Sequence, residues 1–137
     1  MKKFEIFNQR EKVCVTTEFD ETNNWIYANW VNVIKEEDIK AWADPFINLL
    51  EETGCPNLLN SNLEIRSTWL TSTQWVATEL IPRCINAGLK NYAHIVPDHL
   101  FGQIAAQDLE RKIKDYDFTM RIFNNVEEAK QWLKSGG

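Results

Sequence analysis

The sequence has few of the residues on which phosphate-binding loops and metal sites depend. Glycine occurs five times in 137 residues, and neither a GxGxxG nor a GxxxxGK[ST] segment is present. A glycine-rich loop around a nucleotide phosphate is therefore not expected. The two histidines, His94 and His99, lack the spacing that places two imidazoles on one helical face, and Asp98 beside them does not supply it. We therefore predict no metal and no cofactor, and we interpret His94 as a strand histidine with satisfied hydrogen bonds.

Positive charge and long apolar runs are also scarce. Fifteen Lys and Arg residues against twenty Asp and Glu residues give a net charge of −5, which argues against nucleic-acid binding. No window approaches the roughly 18 apolar residues that span a bilayer, and the first residues lack the apolar stretch of a signal peptide. Cys14, Cys55 and Cys84 have no CxxC spacing, which is typical of reduced thiols. These features predict a cytoplasmic protein without a membrane span.

The residues that are present predict one α/β domain over residues 1–137. Hydrophobic residues make up 44% of the chain, which is enough for a single core. Alternating and β-branched stretches predict three strands before residue 35, joined as an antiparallel meander. Helical and strand patterns then alternate, which gives the order βββαβαβαβα. This order predicts a single mixed sheet with packed helices, whose last two strands are parallel and bury Ile95 and Ile122.

Two prolines lie inside predicted helices. Pro45 either kinks the first helix or begins a fresh turn that Asp44 caps. Pro82 should kink the second helix near its last turns.

Hydroxyl side chains cluster at the predicted start of the second helix. Thr71 and Gln74 fit a capping box, with Thr71 as the cap. Thr71, Ser72 and Thr73 are also a candidate site for phosphorylation or for binding an anion, because free N–H groups at a helix start donate hydrogen bonds to phosphate. Capping alone explains the same residues.

Six tryptophans are many for this length. Trp25 and Trp30 have opposite parity on one predicted strand, so one of them points away from the better-covered face of the sheet. Together with Trp69 they are candidates for a subunit interface or an apolar ligand site. Because a meander leaves an edge strand free, we expect a twofold homodimer that uses the N-terminal strands, with Trp25 or Trp30 at or near the contact.

Two segments resemble a known family. AHIVPDHLFG at 93–102 is similar to the strand–Pro–Asp–helix segment of proteins with the STAS-like fold, and RIFNNVEEAKQWL at 121–133 is similar to their closing strand and helix. These are the small bacterial, SpoIIAA-like proteins grouped with anti-sigma-factor antagonists and with SEC14-type lipid-binding domains. Together with the matching order of strands and helices, the resemblance covers nearly the whole chain, and it supports the fold more than a function.

The resemblance implies two different roles. In anti-sigma-factor antagonists a serine at the start of the second helix is phosphorylated within an Asp-Ser-Ser-Gly-like motif. Ser72 lies nearest to that position, although neither the acidic residue before it nor the glycine after it is present. Proteins that resemble SEC14 would instead hold an apolar ligand between sheet and helices.

No acid, base and nucleophile set converges in the sequence, so we predict no catalytic residues. The sequence favours a non-enzymatic, regulatory interaction module that binds a protein partner or a second copy of itself. The alternative is a carrier of a small apolar or lipid-like ligand, and the third hypothesis is an enzyme of unknown reaction. An enclosed apolar cavity of a few hundred Å³ would favour the carrier, whereas a flat exposed aromatic patch would favour the interaction module.

Overall fold

A computed structural model describes residues 2–137 and contains six strands and four helical segments in the predicted order. The strands are β1 (Lys3–Phe7), β2 (Val13–Asp20), β3 (Trp25–Asn32), β4 (Asn57–Ile65), β5 (Asn91–Ile95) and β6 (Thr119–Phe123). The helical segments are α1 (Glu36–Thr53), α2 (residues 70–86), α3 (Leu100–Lys112) and α4 (Val126–Lys134). The predicted α/β class is confirmed. None of the helices in residues 2–137 is both long enough and apolar enough to cross a bilayer.

All six strands belong to one mixed sheet, in the spatial order β1-β2-β3-β4-β5-β6. The first three pair antiparallel, which confirms the meander, and β3 to β6 pair parallel. The two last strands are therefore neighbours in the same sheet, as expected. Ile95 is fully buried, but Ile122 is only half-buried, because it lies on the edge strand β6.

The helices cover the two faces of the sheet unequally. Each helix between two parallel strands forms a right-handed crossover. When successive crossovers step across the sheet in the same direction, their helices lie on the same face. Accordingly, α1, α2 and α3 pack on one face, which we call the inner face, over a core that includes Trp30 and Phe46. Only α4 packs on the opposite, outer face, where Ala129 and Leu133 cover Trp25. Trp25 and Trp30 thus point to opposite faces, as predicted, and both are buried.

The first helix is continuous from end to end. Its acidic first turn suits the positive end of a helix, and Asp38 accepts a hydrogen bond from the backbone N–H of Lys35 at 2.9 Å. Gly54 ends the helix in the left-handed conformation, with φ at +67°. Pro45 lies inside one uninterrupted helix, so the fresh turn capped by Asp44 is not formed.

The second helical segment is irregular. It begins with a 3₁₀ turn (Leu70–Ser72), continues through a short α-helical turn (Thr73–Trp75) and a π turn (Val76–Leu80), and ends as an α-helix (Ile81–Asn86). The predicted capping box is wrong, because Thr71 lies inside the 3₁₀ turn and the N-cap residue is Trp69, which makes no side-chain capping bond. Pro82 has no N–H to donate, and the irregularity falls in the turn before it rather than in the last turns.

Candidate functional site

A cavity lies between the inner face of the sheet and the helices α1 and α2. Its wall is mostly apolar, with aromatic rings from Trp30, Trp42, Phe46 and Trp69. The space open to the centre of a water molecule is about 60 Å³. One buried water needs only about 10–15 Å³ on the same measure, so the cavity has room for a few non-hydrogen atoms and is smaller than the few hundred Å³ expected of a carrier.

Four polar side chains lie on the sheet side of this cavity. Asn60 and Asn62 come from β4, and Tyr92 and His94 come from β5. Alternate residues of a strand share a face, and the parallel register pairs Asn60 with His94, so the four side chains meet on the inner face. All four are buried. We call them the amide–imidazole cluster.

The hydrogen bonds of the cluster determine the tautomer of His94. The Tyr92 hydroxyl lies 2.5 Å from His94 Nδ1, and the Asn60 Nδ2 amide lies 3.2 Å from the same nitrogen. Both neighbours can donate to Nδ1, so Nδ1 is the acceptor and Nε2 carries the proton in the neutral ring. Asn60 in turn accepts at Oδ1 from Trp30 Nε1 at 2.8 Å.

This tautomer orients the Asn62 amide. With the Asn62 oxygen turned towards the ring, it accepts from His94 Nε2 at 3.2 Å and from Trp69 Nε1 at 2.9 Å. Its nitrogen then donates to the carbonyl of Ser61 at 3.3 Å. The opposite orientation would set a donor against the N–H of the imidazole, so the hydrogen bonds favour the first arrangement.

The cluster offers more donors than its acceptors can use. His94 Nδ1 has one lone pair in the ring plane, and the Tyr92 hydroxyl and the Asn60 amide both point to it. The Asn60 amide nitrogen also lies 3.4 Å from the Asn62 amide, so it has polar neighbours on two sides. An acceptor atom in the cavity would offer this amide a further partner.

Burial keeps the cluster uncharged. Desolvation lowers the pKa of His94 from 6.5 to about 3, so the imidazole is neutral at physiological pH. Desolvation also raises the pKa of the Tyr92 phenol well above its ordinary value. A cavity with a neutral polar wall suits an uncharged hydrogen-bonding group better than an ion.

The irregular part of α2 forms the helical wall of the cavity. Val76, Leu80, Ile81 and Cys84 line it, and the first two mark the ends of the π turn. Isolated π turns inside α-helices are frequent at functional sites. Compared with a regular α-helix, the π turn changes which side chains of α2 face the sheet, and this change lies beside the cavity.

A second, open space lies at the end of the sheet where β4 and β5 stop. This groove has a volume of about 200 Å³ and is lined by Arg66, Ser67, Thr68, His99 and Phe101, among others. Trp69 lines both the groove and the cavity.

The structure brings together two of the three tryptophans proposed from the sequence. Trp30 and Trp69 both line the cavity and both donate to the amide–imidazole cluster. Trp25 lies on the outer face under α4 and takes no part in the cavity. All three are at most 9% exposed, so none forms an exposed aromatic patch.

The hydroxyl residues at the start of α2 are mostly closed off. Thr71 is exposed, Ser72 is 2% exposed and Thr73 is fully buried. Thr73 Oγ1 lies 2.5 Å from Asp108 Oδ2 and accepts from Lys112 Nζ at 2.9 Å. The hydrogen bond from Thr73, with support from Lys112, lowers the pKa of Asp108. Phosphorylation of Ser72 remains a prediction, and in this structure it would require the serine to become exposed.

Sequence reasoning missed Asn60 and Asn62. A signal was present, since two amides at alternate positions of an apolar strand place polar groups on one buried face. His94 agrees with its interpretation as a strand histidine with satisfied hydrogen bonds.

No family model, no curated protein and no solved structure matches this chain. Within residues 2–137 no three or more His, Cys, Asp or Glu side chains are placed to hold a metal ion. The resemblance to STAS-like proteins therefore stays an expectation from the sequence.

Proposed function

We propose that this protein binds a small, mostly apolar molecule with one hydrogen-bond acceptor in the cavity between the sheet and helices α1 and α2. The observation that carries the proposal is an aromatic cavity with one polar wall, formed by the four uncharged side chains of the amide–imidazole cluster. Ligand sites in proteins typically combine apolar walls with a few polar groups that orient the ligand.

The apolar wall supplies affinity. Trp30 and Trp42 meet edge to face with ring centroids 5.3 Å apart, and Trp42 stacks on Phe46 at 4.1 Å. Rings that already pack on one another lose little freedom when a ligand covers them. Full burial of an apolar group the size of a leucine side chain is worth about 2–3 kcal/mol.

The amide–imidazole cluster supplies orientation. The Asn60 amide can donate to a carbonyl, ether or hydroxyl oxygen of the ligand. His94 is neutral and both of its ring nitrogens are engaged, so it holds the cluster in place rather than transferring a proton. The proposal is therefore a binding protein or carrier rather than an enzyme.

Filling the cavity tests the proposal. The probe is 2-octanone, which has an apolar chain and one carbonyl acceptor. Titration of wild-type protein, followed by amide and indole NMR signals, should shift the indole resonances of Trp30 and Trp69. Val76→Phe places a larger side chain in the cavity and should abolish these shifts.

The matched control is Val126→Phe, which makes the same change in the partly buried first turn of α4, on the outer face. This variant should respond to 2-octanone as the wild type does. Wild-type protein that shows no indole shifts, or a Val76→Phe variant that still shows them, would contradict the proposal.

A second candidate function is favoured by one surface. Leu70 at the start of α2 and Leu100, Phe101 and Ile104 in the first turns of α3 are exposed, Leu100 by 75% and Phe101 by 66%. Contiguous apolar patches often mark protein contacts. This patch supports an interaction module that binds a protein partner.

The expected homodimer is part of the same candidate. β1 is an edge strand, and Phe7 at its end is 55% exposed. Trp25 and Trp30 are buried within one subunit, so a dimer through these strands would use the edge itself and not the tryptophan rings. The STAS-like assignment and a cytoplasmic location also belong to the proposal, and the three buried, unpaired cysteines support a reducing compartment.

A further inference from the structure

We infer that the ligand is a carboxylate-bearing molecule: its carboxylate binds Arg66 in the groove, and its apolar body extends past Trp69 into the cavity. This inference rests on the proposed function and adds the chemical class of the ligand.

The charge of the groove differs from that of the chain as a whole. The protein has twenty acidic and fifteen basic residues, yet no Asp or Glu is among the described residues that line the groove. Arg66 lines it and makes no ion pair with any residue from 2 to 137. A guanidinium presents paired N–H groups that match the two oxygens of a carboxylate.

Two further donors of the groove are free. His99 Nδ1 accepts from the backbone N–H of Gly102 at 2.9 Å, which leaves Nε2 as a donor. Thr68 Oγ1 accepts from the backbone N–H of Leu70 at 3.2 Å, which leaves its hydroxyl proton for another partner. Arg66, His99 and Thr68 can therefore all donate hydrogen bonds to an anion. Because Arg66 is a single guanidinium, it matches a ligand with one negative charge.

Trp69 lies between the groove and the cavity. It lines both spaces, and its Nε1 donates a hydrogen bond to Asn62 in the amide–imidazole cluster. A ligand that places its acceptor at Asn60 and its apolar chain against Trp69 can therefore extend towards the groove. Such a ligand keeps its charge in the open groove, where desolvation costs less than beside neutral His94.

Two matched probes separate the charge from the apolar body. 7-Oxooctanoate has the same methyl ketone and chain as 2-octanone and ends in a carboxylate instead of a methyl group. Isothermal titration should show that wild-type protein binds 7-oxooctanoate about tenfold more tightly than 2-octanone. Arg66→Gln should remove this difference and leave the affinity for 2-octanone unchanged.

The control variant is Lys90→Gln. Lys90 is an exposed cation directly before β5, at the end of the strand opposite to the groove. Its replacement should alter the affinity for neither probe, whereas added salt should weaken only the binding of 7-oxooctanoate.

The outcomes distinguish this inference from the proposed function. If wild type and Arg66→Gln bind both probes equally, the carboxylate site is wrong and the cavity proposal stands. If 7-oxooctanoate binds Val76→Phe as tightly as wild type, the anion occupies the groove alone and the inference is overturned. If neither probe binds wild-type protein, the proposed function fails together with the inference.

Discussion

Acid should destabilise this protein through one buried residue, His94. Its imidazole is fully buried and its pKa is about 3, whereas the ordinary value is 6.5. In the unfolded chain the imidazole takes up a proton below pH 6.5, but in the folded protein it stays neutral down to about pH 3. Because the unfolded state binds more protons in this range, the free energy of unfolding falls as the pH falls.

The size of the effect follows from the two pKa values. Each pH unit below 6.5 removes about 1.4 kcal/mol, and the loss ends near pH 3. Between pH 7.5 and pH 5.0 the folded state therefore loses about 2 kcal/mol from this residue. Asp20 and Asp108 have lowered pKa values, so their losses occur at lower pH and do not enter this interval.

Urea unfolding followed by tryptophan fluorescence, at the two pH values, measures the effect. His94→Gln removes the titrating group and should lose about 2 kcal/mol less than the wild type between pH 7.5 and 5.0. His99→Gln replaces the other histidine of the chain, which is exposed, and serves as the control. Should His94→Gln fail to fold, the NMR signals of the wild-type imidazole give the answer directly. A His94 ring that is protonated at pH 5 would refute the reasoning.

Three further outcomes are expected. Thr73→Val keeps the volume of the buried side chain but removes its hydrogen bond to Asp108. Urea unfolding should show that the free energy of unfolding falls by about 1–2 kcal/mol. No measurable loss would mean that this hydrogen bond is not formed. Burial raises the pKa of Cys14 to about 11 and of Cys84 to about 12. A thiol reagent should therefore label them only as fast as the protein unfolds. Rapid labelling of the folded protein would contradict their burial. Sedimentation at micromolar concentration should show a dimer through the edge of β1, and a monomer would refute self-association by these strands.

The order of strands and helices was predictable because the spacing of apolar residues within each segment indicates its type. The meander, the alternating helices and strands, and the glycine end of α1 all depend on residues close in sequence. The start of α2 was not predictable in this way. Thr71 and Gln74 fit a local capping box, but Thr73 is held by Asp108 and Lys112 of α3, and these contacts outweigh the local signal.

The candidate site was predictable only in part. Trp25, Trp30 and Trp69 were singled out because six tryptophans are many for this length, and Trp30 and Trp69 line the cavity. Asn60 and His94 become neighbours through the parallel pairing of β4 and β5, which joins residues 34 positions apart. Single-sequence patterns show the face on which each residue lies, but not which strand lies beside it.

Native mass spectrometry of the protein purified from its own host tests the central claim most directly. We expect wild-type protein to carry a small organic molecule that is released on unfolding. The same adduct should remain on Val126→Phe and be missing from Val76→Phe, because only the second change fills the cavity. Wild-type protein that appears only at the mass of the bare chain, or an adduct that Val76→Phe retains, would contradict a ligand in the cavity.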